Sequence, residues 1–260
     1  MDMTQAAHPA TAALFISDLH LQASMPRTAQ AFFDFLKHQA TKTRQLYLLG
    51  DIFEYWAGDD DIDAFNWKVI DAIRAVSNAG VNIFWIAGNR DFLAGSSFSD
   101  ASGITLLPDP FIARIAGQQL VLTHGDAQCT DDTSYMAFRA QVRLPEWQKK
   151  FLARPLEQRK TIIAGMRQSS REAQHNKADE IMDVNADAIA ALFDATATTI
   201  MIHGHTHRPA RHVISGNNGT RVRYVLPDWD YDAAIVRGGW IAIAADGQIT
   251  RFGADGQALP

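Results

Sequence analysis

Five short groups of Asp, His and Asn recur along the 260-residue chain, and each follows an apolar run that predicts a strand. The groups are Asp18-Leu19-His20, Gly50-Asp51, Gly88-Asn89-Arg90-Asp91, His124-Gly125-Asp126 and His203-Gly204-His205-Thr206-His207. Taken singly, each is ordinary, because Asp caps helices and a lone His is usually structural. Packing alone does not explain all five together, since unpaired buried polar groups cost free energy. We therefore predict a metal site where these strand ends meet.

The residue types indicate the kind of metal. Residues two apart in an extended chain point to the same side, so Asp18 can converge with His20 on one point. The groups offer imidazoles, carboxylates and an amide oxygen, a set that suits octahedral Mn²⁺ or a similar ion rather than structural zinc. Seven ligands suffice for two ions if one carboxylate bridges, and Asp51 stands alone at its strand end. Two such ions lie about 3.5–4 Å apart and can share a hydroxide for in-line attack on phosphorus.

Strand and helix patterns alternate along the chain and would carry these groups. Strands are predicted at Ala12–Ser17, Leu46–Leu49 and Asn82–Ala87, with amphipathic helices at Arg27–Gln39 and Asp63–Asn78 between them. This βαβαβ order predicts a parallel sheet with right-handed crossovers. Further strands, with hairpin turns at Gly117 and Asp246-Gly247, are predicted at Phe111–Ile115, Gln119–Thr123, Thr199–Ile202, Arg221–Leu226, Trp240–Ala244 and Gln248–Phe252.

The segment from Asp131 to Ala195 has a helical pattern throughout, interrupted by Pro145 and Pro155. The simplest architecture is one α/β domain, formed by residues 12–130 and 196–252, with a helical lid inserted at residues 131–195.

Composition limits the class of protein. Apolar residues make up 47% and charged residues 20%, as in an ordinary globular chain. A single cysteine, Cys129, excludes an internal disulfide framework and fits a reducing compartment. No secretory signal is visible, and no apolar run approaches the 18 residues or so of a membrane span. The net charge of −5 argues against a general nucleic-acid binder, so we expect a cytoplasmic protein with no nucleic-acid partner.

The order and spacing of the five groups resemble the motifs of the calcineurin-like metallophosphoesterase superfamily. The resemblance implies a two-sheet αββα sandwich that hydrolyses phosphoesters with two metal ions. Carried over by motif, one ion would be bound by Asp18, His20, Asp51 and His207, and the other by Asp51, Asn89, His124 and His205. His203 matches no ligand position and is interpreted as structural or as the support of a ligand. The tyrosine that purple acid phosphatases place three residues after the bridging Asp is Glu54 here, which disfavours an Fe³⁺–phenolate site.

Longer stretches are similar to one subfamily, the UDP-2,3-diacylglucosamine diphosphatases of lipid A synthesis. The matching stretches span residues 17–21, 49–56, 88–92, 181–185 and 202–209, and the similarity runs from about residue 13 to 229. It implies attack by a metal-bridging hydroxide on the α-phosphorus of an anionic nucleotide glycolipid, giving UMP and 2,3-diacylglucosamine 1-phosphate. It also implies a peripheral protein at the cytoplasmic face of the inner membrane, with no obligate protein partner.

Arg90 stands where most of the superfamily has a histidine. A histidine there can protonate an alkoxide leaving group. When a diphosphate is cut, the leaving group is a phosphate monoester whose second pKa is about 6, so it needs no proton at neutral pH. A guanidinium that grips two phosphates is then the better residue. The alternative is a surface salt bridge from Arg90 to Asp91.

The insertion is strongly basic. Between Arg139 and Lys177 it carries ten Lys or Arg against three Glu, an excess of seven in a chain whose net charge is −5. Large apolar residues lie between these charges, which is typical of a lid that clasps an anionic lipid or lies on a membrane surface. The alternative is a helical hairpin with its apolar face in the core and its charges in water.

Within the insertion, four polar residues fall on one helical stripe: Arg167, Ser170, Gln174 and Lys177. The subfamily resemblance implies that substrate is bound by Asn89, Arg90, Asp132, Arg167, Ser170, Gln174, Lys177 and His205, although the subfamily usually has Asn in place of Gln174. Asp132 could equally be an acid in the first turn of a helix. Two other functions stay open: a nucleotide phosphodiesterase or phosphatase on the same scaffold, or a non-catalytic scaffold, which would have broken ligand motifs.

Overall fold

The computed structural model describes residues 10–175, 183–216 and 219–260, with the side chains of 169–175 and 216 outside the description. Seven α-helices lie in these ranges: α1 Pro26–His38, α2 Ala64–Asn78, α3 Ser96–Ser102, α4 Thr133–Val142, α5 Pro145–Leu152, α6 Leu156–His175 and α7 Ala186–Thr196. The strands of the first sheet are β1 Thr11–Ile16, β2 Gln45–Leu48, β3 Asn82–Ile86, β4 Ile104–Leu107, β10 Gly239–Ala244, β11 Ile249–Gly253 and β12 Ala258–Leu259. Those of the second are β5 Phe111–Ile115, β6 Gln118–Leu122, β7 Ile200–His203, β8 Ala210–Gly216 and β9 Gly219–Val225.

Both sheets are mixed. The first runs β12-β11-β10-β1-β2-β3-β4, with β1 to β4 parallel and β10 antiparallel to β1. The second runs β5-β6-β7-β9-β8, with β6, β7 and β9 parallel. The predicted βαβαβ unit and both predicted hairpins are therefore confirmed.

The central strands are apolar on both faces because each face is covered. Leu46 and Leu48 of β2 point to the side covered by α1 and α2, where they join Phe32 of α1 in one cluster. Tyr47 and Leu49 point the other way, into the space between the two sheets. This alternation follows from the period of two along a strand and explains the uninterrupted apolar run. On the far side of the second sheet, α7 packs on β6 and β7.

Four elements have no counterpart in the predicted pattern: α3, β4, β8 and β12. The sequence of α3, SSFSDAS, contains only one large apolar residue, but Phe98 is fully buried against Trp56 and Trp85. In β8, Val213 and Ile214 are neighbours that are both exposed, so this edge strand lacks the alternation of a half-buried strand.

The helical insertion packs on the core. Phe151 is buried in the cluster that includes α1 and α2, and Trp147, Ile162 and Ile163 are half-buried against the same cluster. Leu144 and Leu152 are exposed. Much of the apolar surface of the insertion therefore covers the core, as the hairpin alternative expected, while part of it faces outward. None of the helices within the described ranges combines the length and apolar content needed to cross a bilayer.

Candidate metal centre

The five polar groups meet at the carboxyl ends of the central strands, and neighbouring loops are joined there by backbone hydrogen bonds. The amide of Asp18 donates to Gly50 O at 3.0 Å, and that of His20 donates to Asp51 O at 3.0 Å. The amide of Gly204 donates to His124 O, also at 3.0 Å. These hydrogen bonds fix the loop of Asp18 relative to that of Asp51, and the loop of His124 relative to that of His205, although the loops are far apart in sequence.

Unusual backbone conformations concentrate at these loops. Seven non-glycine residues in the described ranges have positive φ, and five of them are residues of the predicted metal site: Asp18, His20, Asp51, His205 and His207. A left-handed conformation at a residue other than glycine costs on the order of 1–3 kcal/mol and persists only where the surroundings enforce it. Such strain is typical of functional sites, because it aims side chains in directions that a regular strand cannot.

Glycine is required where the loops touch. A Cβ on Gly88 would collide with the carboxylate of Asp51, and one on Gly204 would collide with that of Asp18. The close approach of backbone to carboxylate explains why glycine accompanies the acidic and imidazole residues in these motifs.

One half of the centre is formed by Asp18, His20 and His207. Nε2 of His20 faces Nε2 of His207 at 3.3 Å, and the latter nitrogen lies 3.4 Å from Asp18 Oδ1. Asp18 Oδ1 is buried and has no hydrogen-bond partner among the described residues. A cation would stabilise this arrangement, because two ring nitrogens face each other beside a carboxylate oxygen that lacks a hydrogen bond. These residues therefore fit a divalent metal.

The other half is formed by Asn89, His124 and His205. Asn89 Oδ1 lies 2.9 Å from His124 Nε2 and 2.9 Å from His205 Nδ1. The opposite ring nitrogen of His124 is fixed, because its Nδ1 lies 2.8 Å from Leu49 O and donates to that carbonyl. Nε2 is therefore the nitrogen of His124 that faces Asn89 and the centre, where a metal ion would take the place of a proton.

Asp51 lies between the two halves. Its Oδ2 is 3.9 Å from His20 Nε2, and its Oδ1 is 3.8 Å from His124 Nε2. Each carboxylate oxygen therefore faces the histidine of a different half. This is the geometry that a bridging ligand requires.

The electrostatics of the centre favour positive charge. Burial alone would lower the pKa of His124, but the carboxylates of Asp51, Asp18 and Asp126 outweigh it and raise that pKa to about 9. Burial alone would raise the pKa of Asp18, but His207 holds it well below the usual range. By contrast, burial and the neighbouring His124 lower the pKa of His205 to about 4, so this imidazole stays in the neutral, metal-binding form.

Arg90 and Asp91 have separate roles. Asp91 is fully buried and accepts hydrogen bonds from the amides of Ile52 at 2.7 Å and Gly88 at 2.8 Å, so it joins two loops rather than forming a salt bridge with Arg90. The amide of Arg90 donates to Asp51 Oδ1 at 2.8 Å. Its Nε is buried and lacks a hydrogen-bond partner among the described residues. Arg90 thus fixes the central carboxylate through its backbone and keeps donor capacity in its side chain.

Helix α4 supports two of the loops, that of Asp126 and that of Asn89. This support was not predicted from the sequence. Asp126, fully buried after His124, accepts hydrogen bonds through Oδ2 from Tyr135 Oη at 2.7 Å and Arg139 Nε at 2.8 Å. Arg143 Nη2 donates to Gly88 O at 2.9 Å, next to Asn89. The ring of Tyr135 also stacks on His205. The i, i+4, i+8 spacing of Tyr135, Arg139 and Arg143 was the available signal, since it places the three on one face of the helix.

His203 is structural. It is fully buried, its Nδ1 lies 2.9 Å from Gly204 O, and Arg223 Nη1 lies 3.1 Å from its Nε2. Burial and the charge of Arg223 lower the pKa of His203 to about 3. The neutral ring therefore donates from Nδ1 and accepts at Nε2, which leaves neither nitrogen for a metal.

The residues predicted to bind substrate from the insertion are only partly described. Asp132 is the N-cap of α4, since its side chain accepts a hydrogen bond from the amide of Tyr135 at 3.1 Å. Arg167 pairs with Glu54 of the core and lies over the ring of Tyr55. Ser170 and Gln174 belong to α6 but their side chains are not described, and Lys177 lies outside the described residues.

Known proteins place this centre in a family. The model of the calcineurin-like phosphoesterase family matches residues 12–209, which contain every residue of the five groups. The chain belongs to that family. Curated relatives include the UDP-2,3-diacylglucosamine hydrolases of Aromatoleum aromaticum (48% identical, covering 86% of this chain and 92% of that protein) and Cellvibrio japonicus (45% identical, covering 84% and 91%).

Among solved structures, an archaeal phosphodiesterase has 11% identity and a TM-score of 0.47, covering 93% of this chain and 98% of that one. The family match and the curated relatives make the chain a metal-dependent phosphoesterase, and the residues at its strand ends fit divalent ions. The predicted fold class and enzyme class are therefore confirmed.

Proposed function

We propose that this phosphoesterase hydrolyses the diphosphate of UDP-2,3-diacylglucosamine, giving UMP and 2,3-diacylglucosamine 1-phosphate. The observation that carries the proposal is the position of Asp51, whose two oxygens face the histidines of two halves of one centre. The identity of the substrate is inferred from the names of the curated relatives.

Two divalent ions, which we propose to be Mn²⁺, would be held by the ligands of the two halves. The first set is Asp18, His20, Asp51 and His207, and the second is Asp51, Asn89, His124 and His205. When bound, such ions polarise phosphoryl oxygens and supply a nucleophile at neutral pH. The residues of the chain fix where those ions lie, because the strained loops and their backbone hydrogen bonds leave the ligands little freedom.

Arg90 would neutralise charge that develops on the two phosphates. Its amide is already bonded to Asp51, so its side chain starts beside the centre, and its buried Nε retains a free N–H among the described contacts. A phosphate monoester leaves without a proton at neutral pH, so a permanently charged donor serves better than an acid. Attack at the α-phosphorus makes the lipid phosphate the departing group.

The insertion, residues 131–195, would cover the substrate. We propose that Asn89, His205 and Asp132 contact the diphosphate or nucleotide together with Arg167, Ser170, Gln174 and Lys177, and that the acyl chains lie along apolar residues of the lid. A diacylated substrate is delivered from a bilayer, which suits a peripheral protein at the cytoplasmic face of the inner membrane.

The test is a substrate comparison with purified protein and Mn²⁺. We expect rapid release of UMP from UDP-2,3-diacylglucosamine and slow hydrolysis of UDP-N-acetylglucosamine, which has the diphosphate but lacks the two acyl chains. An aryl phosphodiester serves as the generic control. The proposal would be refuted if the aryl ester or the unacylated nucleotide were turned over as fast as the lipid. That result would favour a general nucleotide phosphodiesterase.

A further inference from the structure

The two facing histidines of the first half each have a carboxylate behind them. His20 Nδ1 lies 3.1 Å from Glu54 Oε2, and His207 Nδ1 lies 3.7 Å from Asp228 Oδ2. The first pair is close but lacks the alignment of a hydrogen bond, so the buried Nδ1 of His20 has no hydrogen-bond partner among the described residues. Both carboxylates are shielded from solvent, with side-chain exposures of 17% for Glu54 and 7% for Asp228.

Each carboxylate is held in turn by an arginine. Arg237 Nε donates to Asp228 Oδ2 at 2.8 Å, and the loop that carries Arg237 is closed by reciprocal backbone hydrogen bonds with Asp230. Arg167 Nη2 donates to Glu54 Oε1. The first arginine comes from the core loop before β10, whereas the second comes from α6 of the insertion.

We infer that Glu54–Arg167 and Asp228–Arg237 are positioning pairs for His20 and His207, and that the first pair couples metal binding to the seating of helix α6. The inference rests on the metal centre of the proposed function and assigns residues outside its ligand set. Metal-binding histidines commonly donate their second N–H to a carboxylate, which fixes the tautomer and strengthens the ligand. For His20 this requires the ring to turn until its Nδ1–H points at Glu54 Oε2.

The contacts of Glu54 support this assignment. Its Oε1 accepts a hydrogen bond from Arg167 and its Oε2 faces His20, so one carboxylate links the helix to the imidazole. The second half of the centre is built differently, because His124 Nδ1 donates to Leu49 O, a backbone carbonyl at the end of β2. A carbonyl fixed by the sheet does not depend on α6, whereas Glu54 is paired with Arg167 of that helix.

Coupling of this kind is reciprocal. If α6 seated on Glu54 strengthens metal binding at the first half, then metal binding must stabilise the seating of α6 by the same free energy. The lid and the catalytic centre would then respond to one another through Arg167 and Glu54, neither of which is a proposed metal ligand.

The test is a Mn²⁺ titration of chelator-treated full-length protein, with free Mn²⁺ measured by its EPR signal. In Glu54→Gln we expect one of two Mn²⁺ equivalents to bind about 10–100-fold more weakly, the usual effect of losing a partner of a metal ligand. Arg167→Met and Arg237→Met should weaken the same equivalent by about tenfold. Lys160→Met is the matched control: it breaks an ion pair between α6 and Asp61 of the core that does not involve Glu54, and should leave both equivalents unchanged.

Hydrogen exchange tests the reverse direction. In wild type, Mn²⁺ should slow exchange in the described part of α6, residues 156–168, and Arg167→Met should abolish that slowing while circular dichroism shows an intact fold. Unchanged Mn²⁺ affinity in Glu54→Gln, equal losses in Lys160→Met and Arg167→Met, or no slowing in wild type would each overturn the inference. Wild type that takes up no Mn²⁺ at all would instead refute the proposed metal centre itself.

Discussion

The position of Asp51 between the two halves predicts an unusually large effect for one substitution. Asp51→Ala removes both oxygens that face His20 and His124, so neither half retains its full set of proposed ligands. We expect at least one Mn²⁺ equivalent to be lost from the purified protein. Turnover should fall by at least about a thousandfold, the upper end of what removing one group that stabilises the transition state costs.

The fold should survive Asp51→Ala. The substitution removes one charge-assisted hydrogen bond, from the amide of Arg90, which is worth about 1.5–3 kcal/mol. Against this loss, Asp51 repels Asp91: burial and the charge of Asp51 raise the pKa of Asp91 to about 7, and that repulsion is relieved. Since a domain is stable by roughly 5–15 kcal/mol, the variant should remain folded.

Metal analysis and thermal melts would check both parts. Asp246→Ala is the matched control, because Asp246 also accepts a hydrogen bond from a backbone amide, that of Gln248 at 3.0 Å, in a turn between β10 and β11. This control should keep two Mn²⁺ and full turnover. Two full equivalents of Mn²⁺ in Asp51→Ala would refute the bridging role, and an unfolded variant would refute the stability argument.

Four further experiments test separate parts of the molecule. Arg143→Met should cost about 10–100-fold in turnover by loosening the loop of Asn89, with Arg143→Lys partly restoring it; unchanged turnover would contradict this support. Cys129 should resist iodoacetamide at pH 8 until the protein is unfolded, because burial raises the pKa of its thiol to about 12; alkylation of the native protein would show otherwise. Lys177→Ala should slow hydrolysis of the diacylated substrate about tenfold to a hundredfold and spare an aryl phosphodiester, as loss of one charge-assisted contact would. Equal losses on both would mean that the lid supports the centre. In ¹⁸O-labelled water the label should appear in UMP, and label in the lipid phosphate would move the attack to the other phosphorus.

The sheet that positions the centre could be predicted because its signals are local. A strand that is apolar on both faces gives an uninterrupted run, and the carboxyl ends of parallel strands meet at one edge, so the sequence brings Asp18 and Asp51 together without further information. The helix that contains Phe98 could not be predicted from local sequence. A helix of seven residues with one large apolar side chain is stabilised by Trp56 and Trp85, and their approach is a property of the tertiary structure.

The supports of the centre could not be predicted for the same reason. Glu54 and Arg167 are separated by 113 residues, and nothing near either one indicates the other. The spacing of Tyr135 and Arg139 places them on one face of a helix, but only the contact of α4 with the loop shows that this face holds Asp126. Ligands are recognisable by type and spacing, whereas residues that hold ligands are recognisable only by contact.

A count of Lys and Arg in the insertion overstates the positive charge that is available to a substrate. Its excess of seven positive charges predicts a strongly attractive lid for an anionic lipid, but several of these charges already have protein partners. Arg159, 2% exposed, pairs with Asp60, and Lys160 pairs with Asp61. Arg167 pairs with Glu54. A diphosphate that approaches the centre therefore meets less positive charge from the described part of α6 than the sequence counts. The arginine that the core contributes beside the centre is Arg90, whose amide is bonded to Asp51, and we propose that it meets the diphosphate.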